Sequence, residues 1–303
     1  MSISAQSTPP SQAKRRSTTL TREVIETRLA RVIKWVFIVF FVLITAFPFY
    51  WMLNLSVRPI GDVLQNPTRL VPTGEQLANW WQSYEAVLVD FRFATYIGNS
   101  LLISVITVSI TLLLAIPGAY AVTRLSFRGK SSMSWGILLV YMFPAIVIGI
   151  PLFVIYSKLS LRGNLPALMV IYLSSTLPVA LYMLRSYFQT VPVELEEAAL
   201  IDGCSRLSTI WRIIVPLSVP AIASVALYTY MIAWNEILFA ILFLTETPNS
   251  WTLPLGLRQL DSQEVPRTYL MAGSVIITIP VIFLFLGFER FLRRGLTAGA
   301  VKG

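Results

Sequence analysis

Six stretches of this chain are long, apolar and almost free of charge, and that constrains the fold more than any other feature. They run over residues 35–55, 97–122, 135–156, 165–184, 217–244 and 269–288, and Glu236 is the one ionisable side chain well inside them. Crossing about 30 Å of hydrocarbon takes a helix of about 20 residues. The runs are continuously apolar rather than alternating, which selects helices over a β-barrel. The expected fold is therefore an all-α polytopic membrane protein with six transmembrane helices. Pro48, Pro117, Pro144, Pro151, Pro178 and Pro280 fall inside the spans. Neighbouring helices or water can satisfy the carbonyls they free, and kinks are expected there.

Charge sets the orientation. The 303 residues include 24 Lys and Arg against 15 Asp and Glu. In a soluble chain that excess would suggest nucleic acid; in one this apolar it marks cytoplasmic loops. With the N-terminus inside, inner segments hold 17 of the basic residues and outer segments 7, which predicts cytoplasmic termini at both ends. Residues 1–34 read as a polar tail, disordered over 1–21, leading into a pre-helix. Residues 35–292 read as the membrane domain and 293–303 as a polar, flexible cytoplasmic tail. The bulky end of the first run, Phe47-Pro48-Phe49-Tyr50-Trp51, does not suit a cleaved signal and resembles an interfacial aromatic belt. Trp80, Trp81, Tyr84, Phe91 and Phe93 in the outer loop 56–96 suggest amphipathic turns on the membrane surface.

Several chemistries are excluded. There is no histidine and only one cysteine, Cys204, so no His-based catalysis, no His- or Cys-based metal cluster and no intrachain disulfide can form. Gly129-Lys130-Ser131 lacks the glycine that a phosphate loop needs five positions earlier, where Arg124 stands. No catalytic, cofactor-binding or metal-binding residue is expected in this chain.

The longest inner loop, 190–216, reads as helix, turn, helix. Pro192 suits a first helical position, and Glu194, Glu196 and Glu197 complement the positive end of a helix dipole. Gly203 suits a left-handed C-terminal cap and Ser205 the cap of a second helix. Leu207, Ile210, Trp211 and Ile214 fall on one helical stripe. Such a pair either docks into a partner's groove or lies on the lipid surface; physics alone leaves both open.

The same loop resembles a family motif: Glu-Ala-Ala, three residues, Gly, nine residues, then Ile-x-Leu-Pro. Here it reads Glu197-Ala198-Ala199, Gly203 and Ile213-Ile214-Val215-Pro216, with Val215 in place of the leucine. This resembles the EAA loop of ATP-binding-cassette importer permeases, most closely the six-helix carbohydrate permease of the maltose-transporter type. Trp234-Asn235-Glu236-Ile237-Leu238-Phe239-Ala240 and the tail from Gly295 to Gly303 are also similar to that subunit. The resemblance covers the chain from about residue 35 onward.

It implies a non-catalytic subunit of an importer in a prokaryotic cytoplasmic membrane, moving a sugar or sugar-like solute by alternating access. The implied partners are a second permease subunit, two ATP-binding subunits that hold ATP and magnesium, an extracytoplasmic solute-binding protein and membrane lipid, with no nucleic acid. Glu197, Ala198, Ala199, Gly203, Ile213 and Pro216 would form the ATPase-coupling segment. Asn235 and Glu236 would line the solute pathway or make a structural polar contact between helices. Trp251, Pro254 and Gly256, in the outer loop 245–268, would meet the binding protein, although Trp251 also suits an interfacial aromatic. The competing class is a self-contained secondary transporter or channel. Against it, no internal repeat is visible and intramembrane charge is scarce.

Overall fold

The computed structural model describes the backbone of residues 13–300 and the side chains of residues 27–291, except 134, 135, 137, 138, 140 and 141. Among the described residues the chain is helical with no strand, an all-α membrane protein. It divides into two units at residue 54. The first is essentially one helix, α1 (Ala13–Ser56), whose apolar side chains from Trp35 to Leu53 are largely exposed. A helix apolar all round suits lipid or a partner on every side. Its start at Ala13 corrects the expectation of a disordered tail through residue 21; no proline follows Pro10 until Pro48, so nothing interrupts the helix. Residues 1–12 lie outside the described residues.

The second unit contains α2 (Phe93–Arg124), α3 (Lys130–Met142), α4 (Ala145–Lys158), α5 (Leu165–Phe188), α6 (Glu194–Ile201), α7 (Val219–Trp234), α8 (Leu238–Leu244), α9 (Leu253–Leu260) and α10 (Arg267–Ala300). Continuous helices long and apolar enough to cross a membrane coincide with four of the six apolar runs: the first, second, fourth and sixth. The third run is broken at Phe143-Pro144, with Pro144 extended at the head of α4 (φ −61°, ψ 127°). Proline cannot donate to the helix, and its ring disfavours a helical residue before it. The fifth run is broken after Trp234, and its entry bends by 83° at Ser218. Both were expected as single spans. The C-terminal tail was expected to be flexible, yet α10 continues to Ala300, with residues 301–303 outside the described residues.

α2 and α5 form the centre of the second unit, with α7 packed against both. α2 presents Ser100, Ser104, Thr107 and Thr111 on one buried face at helical spacing. Thr111 shares a 2.7 Å hydrogen bond with Thr176 of α5, and Ser100 Oγ accepts the Leu253 amide at 2.7 Å. In a dry interior small side chains let helices approach closely, and here Ser100 and Thr111 also tie α2 to its neighbours by hydrogen bonds, while the Ser104 and Thr107 hydroxyls have no such partner among the described residues.

The loop 56–96 is not only a set of surface turns. Arg58 is fully buried and works as a spoke: it donates to the Asp62 carboxylate at 2.7 Å and to the carbonyls of Asp62, Asn66 and Arg69. Arg69 reaches the other carboxylate oxygen of Asp62 at 2.8 Å. Downstream, Thr73 and Gln76 close a capping box. Trp80 and Trp81 are about half exposed, as the surface reading expects, whereas Phe93 is buried.

Two predictions follow from this packing. A β-carbon on Gly256 would lie 2.2 Å from the Tyr96 ring, which is flanked by Phe93 and Trp251. Gly256→Ala should therefore destabilise the folded chain by about 1–3 kcal/mol in a detergent unfolding titration. Burial pushes the Asp62 carboxyl up, but hydrogen bonds from Arg58 and Gln76 and the charges of Arg58 and Arg69 outweigh it, leaving the group below the usual carboxylate value. Stability from a depressed carboxylate is present above the unfolded pKa and lost as pH falls through the folded one. Amide exchange across residues 58–69, corrected for intrinsic rates, should accelerate only below the ordinary carboxylate range; loosening already at mildly acidic pH would contradict it.

Candidate functional site

The segment between α5 and α7 folds as a capped helix pair. α6 opens with Glu194, Glu196 and Glu197 in its first turn, two residues after Pro192, which stands just outside the helix. It ends on Gly203 in the left-handed region (φ 85°), where the Cys204 amide reaches Ala199 O at 3.0 Å and the Gly203 amide reaches Leu200 O at 3.1 Å. These are the paired bonds of a Schellman cap. A β-carbon on Gly203 would meet nothing within 4 Å, so the backbone conformation, not crowding, selects glycine. Ser205 then accepts the Ser208 amide and starts a turn over Arg206–Thr209.

The chain next widens into a π-type turn, Ile210–Ile214, with the Val215 amide reaching back to Ile210 O. The expected stripe is split by this turn. Ile210 and Ile214 are buried against Ala115, Ile116, Ala119 and Tyr120 of α2 and Leu184 and Phe188 of α5, while Leu207 and Trp211 face outward. In a turn of more than four residues, positions four apart share a face and the positions between them rotate off it.

Each residue expected for coupling has a definite place. Glu197 and Ala198 are exposed, Ala199 is buried, Gly203 is exposed at the turn, Ile213 is half-buried and Pro216 is exposed. Beside Glu197 and Ala198, the side chains of Val193, Leu200 and Ile201 are also exposed. The glutamate that matters to the fold is a neighbour the sequence reading treated only as dipole charge. Glu196 is buried, and its carboxylate accepts Arg124 Nε at 2.6 Å. Arg124 also donates to Val191 O at 2.6 Å. The sequence signal was an arginine closing one apolar run opposite three glutamates opening the inner loop. Lys130, counted as loop charge, donates to the Thr123 and Leu125 carbonyls at the end of α2.

Asn235 and Glu236 lie at the break between α7 and α8, not inside a continuous helix. Asn235 is exposed and donates to Met231 O at 2.9 Å, closing α7. The Glu236 carboxylate accepts the amides of Phe239 at 2.9 Å and Ala240 at 3.2 Å, so it caps α8. The Tyr172 hydroxyl lies against the Glu236 carbonyl.

In the outer loop, Trp251 is half-buried against Tyr96 and donates to Leu244 O at 2.9 Å. Pro254 and Gly256 are buried. Direct contact of those two with an outside protein is therefore not available in this conformation; they shape the packed turn beneath Trp251. Among the described residues no group of acidic or cysteine side chains is arranged to hold a metal.

Residues 112–298 match the family described as binding-protein-dependent transport system inner membrane component. The chain belongs to that family. This permease is 39% identical over 264 residues to the inner membrane ABC transporter permease protein YcjP of Escherichia coli (strain K12), covering 87% of this chain and 93% of the relative. It is 36% identical over 279 residues to the trehalose/maltose transport system permease protein MalG of Thermococcus litoralis, covering 91% and 98%. The fold is shared with a chain of a bacterial ABC transporter involved in import of the acidic polysaccharide alginate, at a TM-score of 0.72 and 23% identity, covering 94% of the permease and 100% of that chain.

The capping geometry predicts the outcome of Glu236→Gln in this permease. An amide keeps one accepting oxygen but turns an NH2 toward the second backbone amide, so the substitution should cost about 1 kcal/mol of stability. If solute selectivity survives that change, the carboxylate is a cap and not a solute ligand.

Proposed function

We propose that this permease is one membrane subunit of an ATP-driven importer that carries a sugar or sugar-like solute, delivered by an extracytoplasmic binding protein, and that its EAA loop receives the stroke of separate ATPase subunits. The observation that carries the reading is the form of α6. A short helix, capped at its Gly203 end, presents Glu197, Ala198 and an apolar edge outward, while its other face is pinned to the bundle. Outward alanine permits close backbone approach, and exposed leucine and isoleucine favour an apolar groove over bulk water. Family membership and the sugar permeases among its relatives support the solute class.

In this reading the chain crosses the membrane six times with both termini in the cytoplasm, supported by the six apolar runs and the bias of basic residues toward one side. The breaks in the third and fifth runs, exposed on this chain at Phe143 and Asn235, then face a partner subunit or the aqueous pathway, where irregular backbone is tolerated. A second permease subunit completes the pathway and two ATP-binding subunits hold ATP and magnesium; this chain itself hydrolyses nothing. ATP binding draws the coupling segments together and turns the bundle outward to accept solute, and hydrolysis returns it inward. Asn235, exposed at the α7–α8 break, lines the pathway, with Glu236 holding the break in shape. Trp251 offers its exposed edge to the binding protein, with Pro254 and Gly256 supporting it from below.

The test is to purify the complex with its binding protein and screen maltose, trehalose and related glycosides for stimulation of ATP hydrolysis. At least one should raise the rate several-fold, and only with the binding protein present. Ala198→Arg should abolish ATPase attachment while leaving the permease folded. Uptake by the permease alone, driven by an ion gradient, would overturn the reading.

A further inference from the structure

Arg124 stands at the last residue of α2, and its guanidinium makes two bonds to the coupling segment rather than one. Nε meets the buried Glu196 carboxylate at 2.6 Å, and a terminal nitrogen meets Val191 O, also at 2.6 Å. The side chains are 13% and 5% exposed, so water does not screen the pair. The two contacts fall on either side of the turn at residues 192–193, where the chain leaves α5 and enters α6. They therefore fix the angle of that corner as well as its distance from α2.

Apart from the Tyr120 hydroxyl of α2 beside the same Glu196 carboxylate and a 3.3 Å hydrogen bond from the Tyr187 hydroxyl of α5 to Leu217 O, the segment's other attachments differ in kind. At one end it continues from α5, and at the other it continues through the π-type turn and the 83° bend into α7. Ile210 and Ile214 pack on α2 and α5 through apolar contacts, which have no preferred direction. The two charge-assisted bonds do have a direction, and a forked, planar cation suits them where a lysine ammonium would not.

We propose that Arg124 is a positioning residue for coupling: with Glu196 and Val191 O it locks α6 to the end of α2, so that displacement of α6 moves α2 instead of bending the corner at residues 192–193. Nothing in the motif itself contains this lock, because Glu196 precedes the Glu-Ala-Ala triplet and Arg124 lies in a different helix. Transmission requires the ATPase-coupled reading given above; the lock itself does not.

Two measurements separate these claims. The first is amide exchange in the full chain in detergent micelles. Removing one member of a buried pair strands the other, so amides 194–201 should exchange about 10-fold faster or more in Arg124→Gln and in Glu196→Gln, and by an intermediate amount in Arg124→Lys, while α2 and α5 stay protected. Unchanged exchange in both Gln variants would overturn the lock.

The second measurement uses the whole complex. Spin labels at Lys158→Cys and Gln263→Cys, in a Cys204→Ser background, report the distance between the end of α4 and the loop 245–268 with and without ATP and vanadate. Otherwise wild-type complex should show a nucleotide-dependent shift. Arg124→Gln should trap the same amount of nucleotide but lose most of the shift, and Arg124→Lys should recover part of it. A full shift in Arg124→Gln, despite faster exchange at α6, would overturn the coupling role. If the wild-type shift is itself absent, the ATPase-driven reading fails, and amide exchange still decides the lock. Should either Gln variant fail to assemble, Arg124→Lys carries the second measurement: an undiminished shift counts against the proposal and a reduced one supports it.

Discussion

Every buried backbone amide and carbonyl in a membrane interior must find its partner within protein, because hydrocarbon offers none. That requirement explains where this chain can be irregular. At the break after α7, Asn235 turns back to Met231 O and Glu236 caps the next helix. At the end of α8, the Trp251 indole donates to Leu244 O, and the Gly163 amide reaches Phe243 O at 2.8 Å. At the end of α2, Lys130 covers two carbonyls. At these three places the helix end is closed by a side chain or amide from nearby, so the chain can be irregular there without stranding those backbone groups.

The same requirement governs charge. Arg58 and Glu196 are buried charges and Arg124, the counterpart of Glu196 at the inner corner, is nearly so, and each is held by polar atoms of the protein. A lone buried ion would be too costly to keep, whereas a paired and hydrogen-bonded one makes an approach specific. The chain places one such knot in the loop 56–76 and the other where α2 meets the start of α6. Both join parts of the chain whose apolar contacts alone would allow sliding.

Hydropathy made the four long helices and the helix–turn–helix of the inner loop legible in the sequence, and the local chemistry of Gly203 and Ser205 is visible there too. The broken spans were less legible. Pro144 and the Asn235-Glu236 pair were both in view, but hydropathy averaged over a window treats a capped break and a continuous helix alike. The Arg58 and Arg124 pairings were missed, because Arg58 and Arg124 were used only to count charge on each side of the membrane, although an arginine closing one inner end opposite three glutamates pointed to the second. Pro254 and Gly256 were misplaced for a related reason: an outer loop rich in proline and glycine looks open to contact, yet here it folds down on Tyr96 and is buried. The motif holds the outward-facing Glu197 and Ala198 together with the buried Ala199 and the capping Gly203, while the ion pair that ties α6 to α2 comes from residues that the motif does not include.

These features together set the mechanical character of the segment around α6. A rigid α6 on a loose corner would rotate in place when pushed, and a fixed corner carrying a frayed helix would absorb the push by unfolding. Here both ends of α6 are controlled. The Schellman bonds at Gly203 stop fraying at one end, and the Arg124 bonds flank its start at the other. Beneath it, Ile210, Ile214 and Val191 share one apolar cluster with α2 and α5, the two helices at the centre of the bundle. A close-packed core deforms little and passes displacement on. A force applied at Ala198 therefore meets a continuous stiff path into α2 and α5, and the nearest places able to yield are the bend at Ser218 and the capped break at Asn235-Glu236, both on the α7 side.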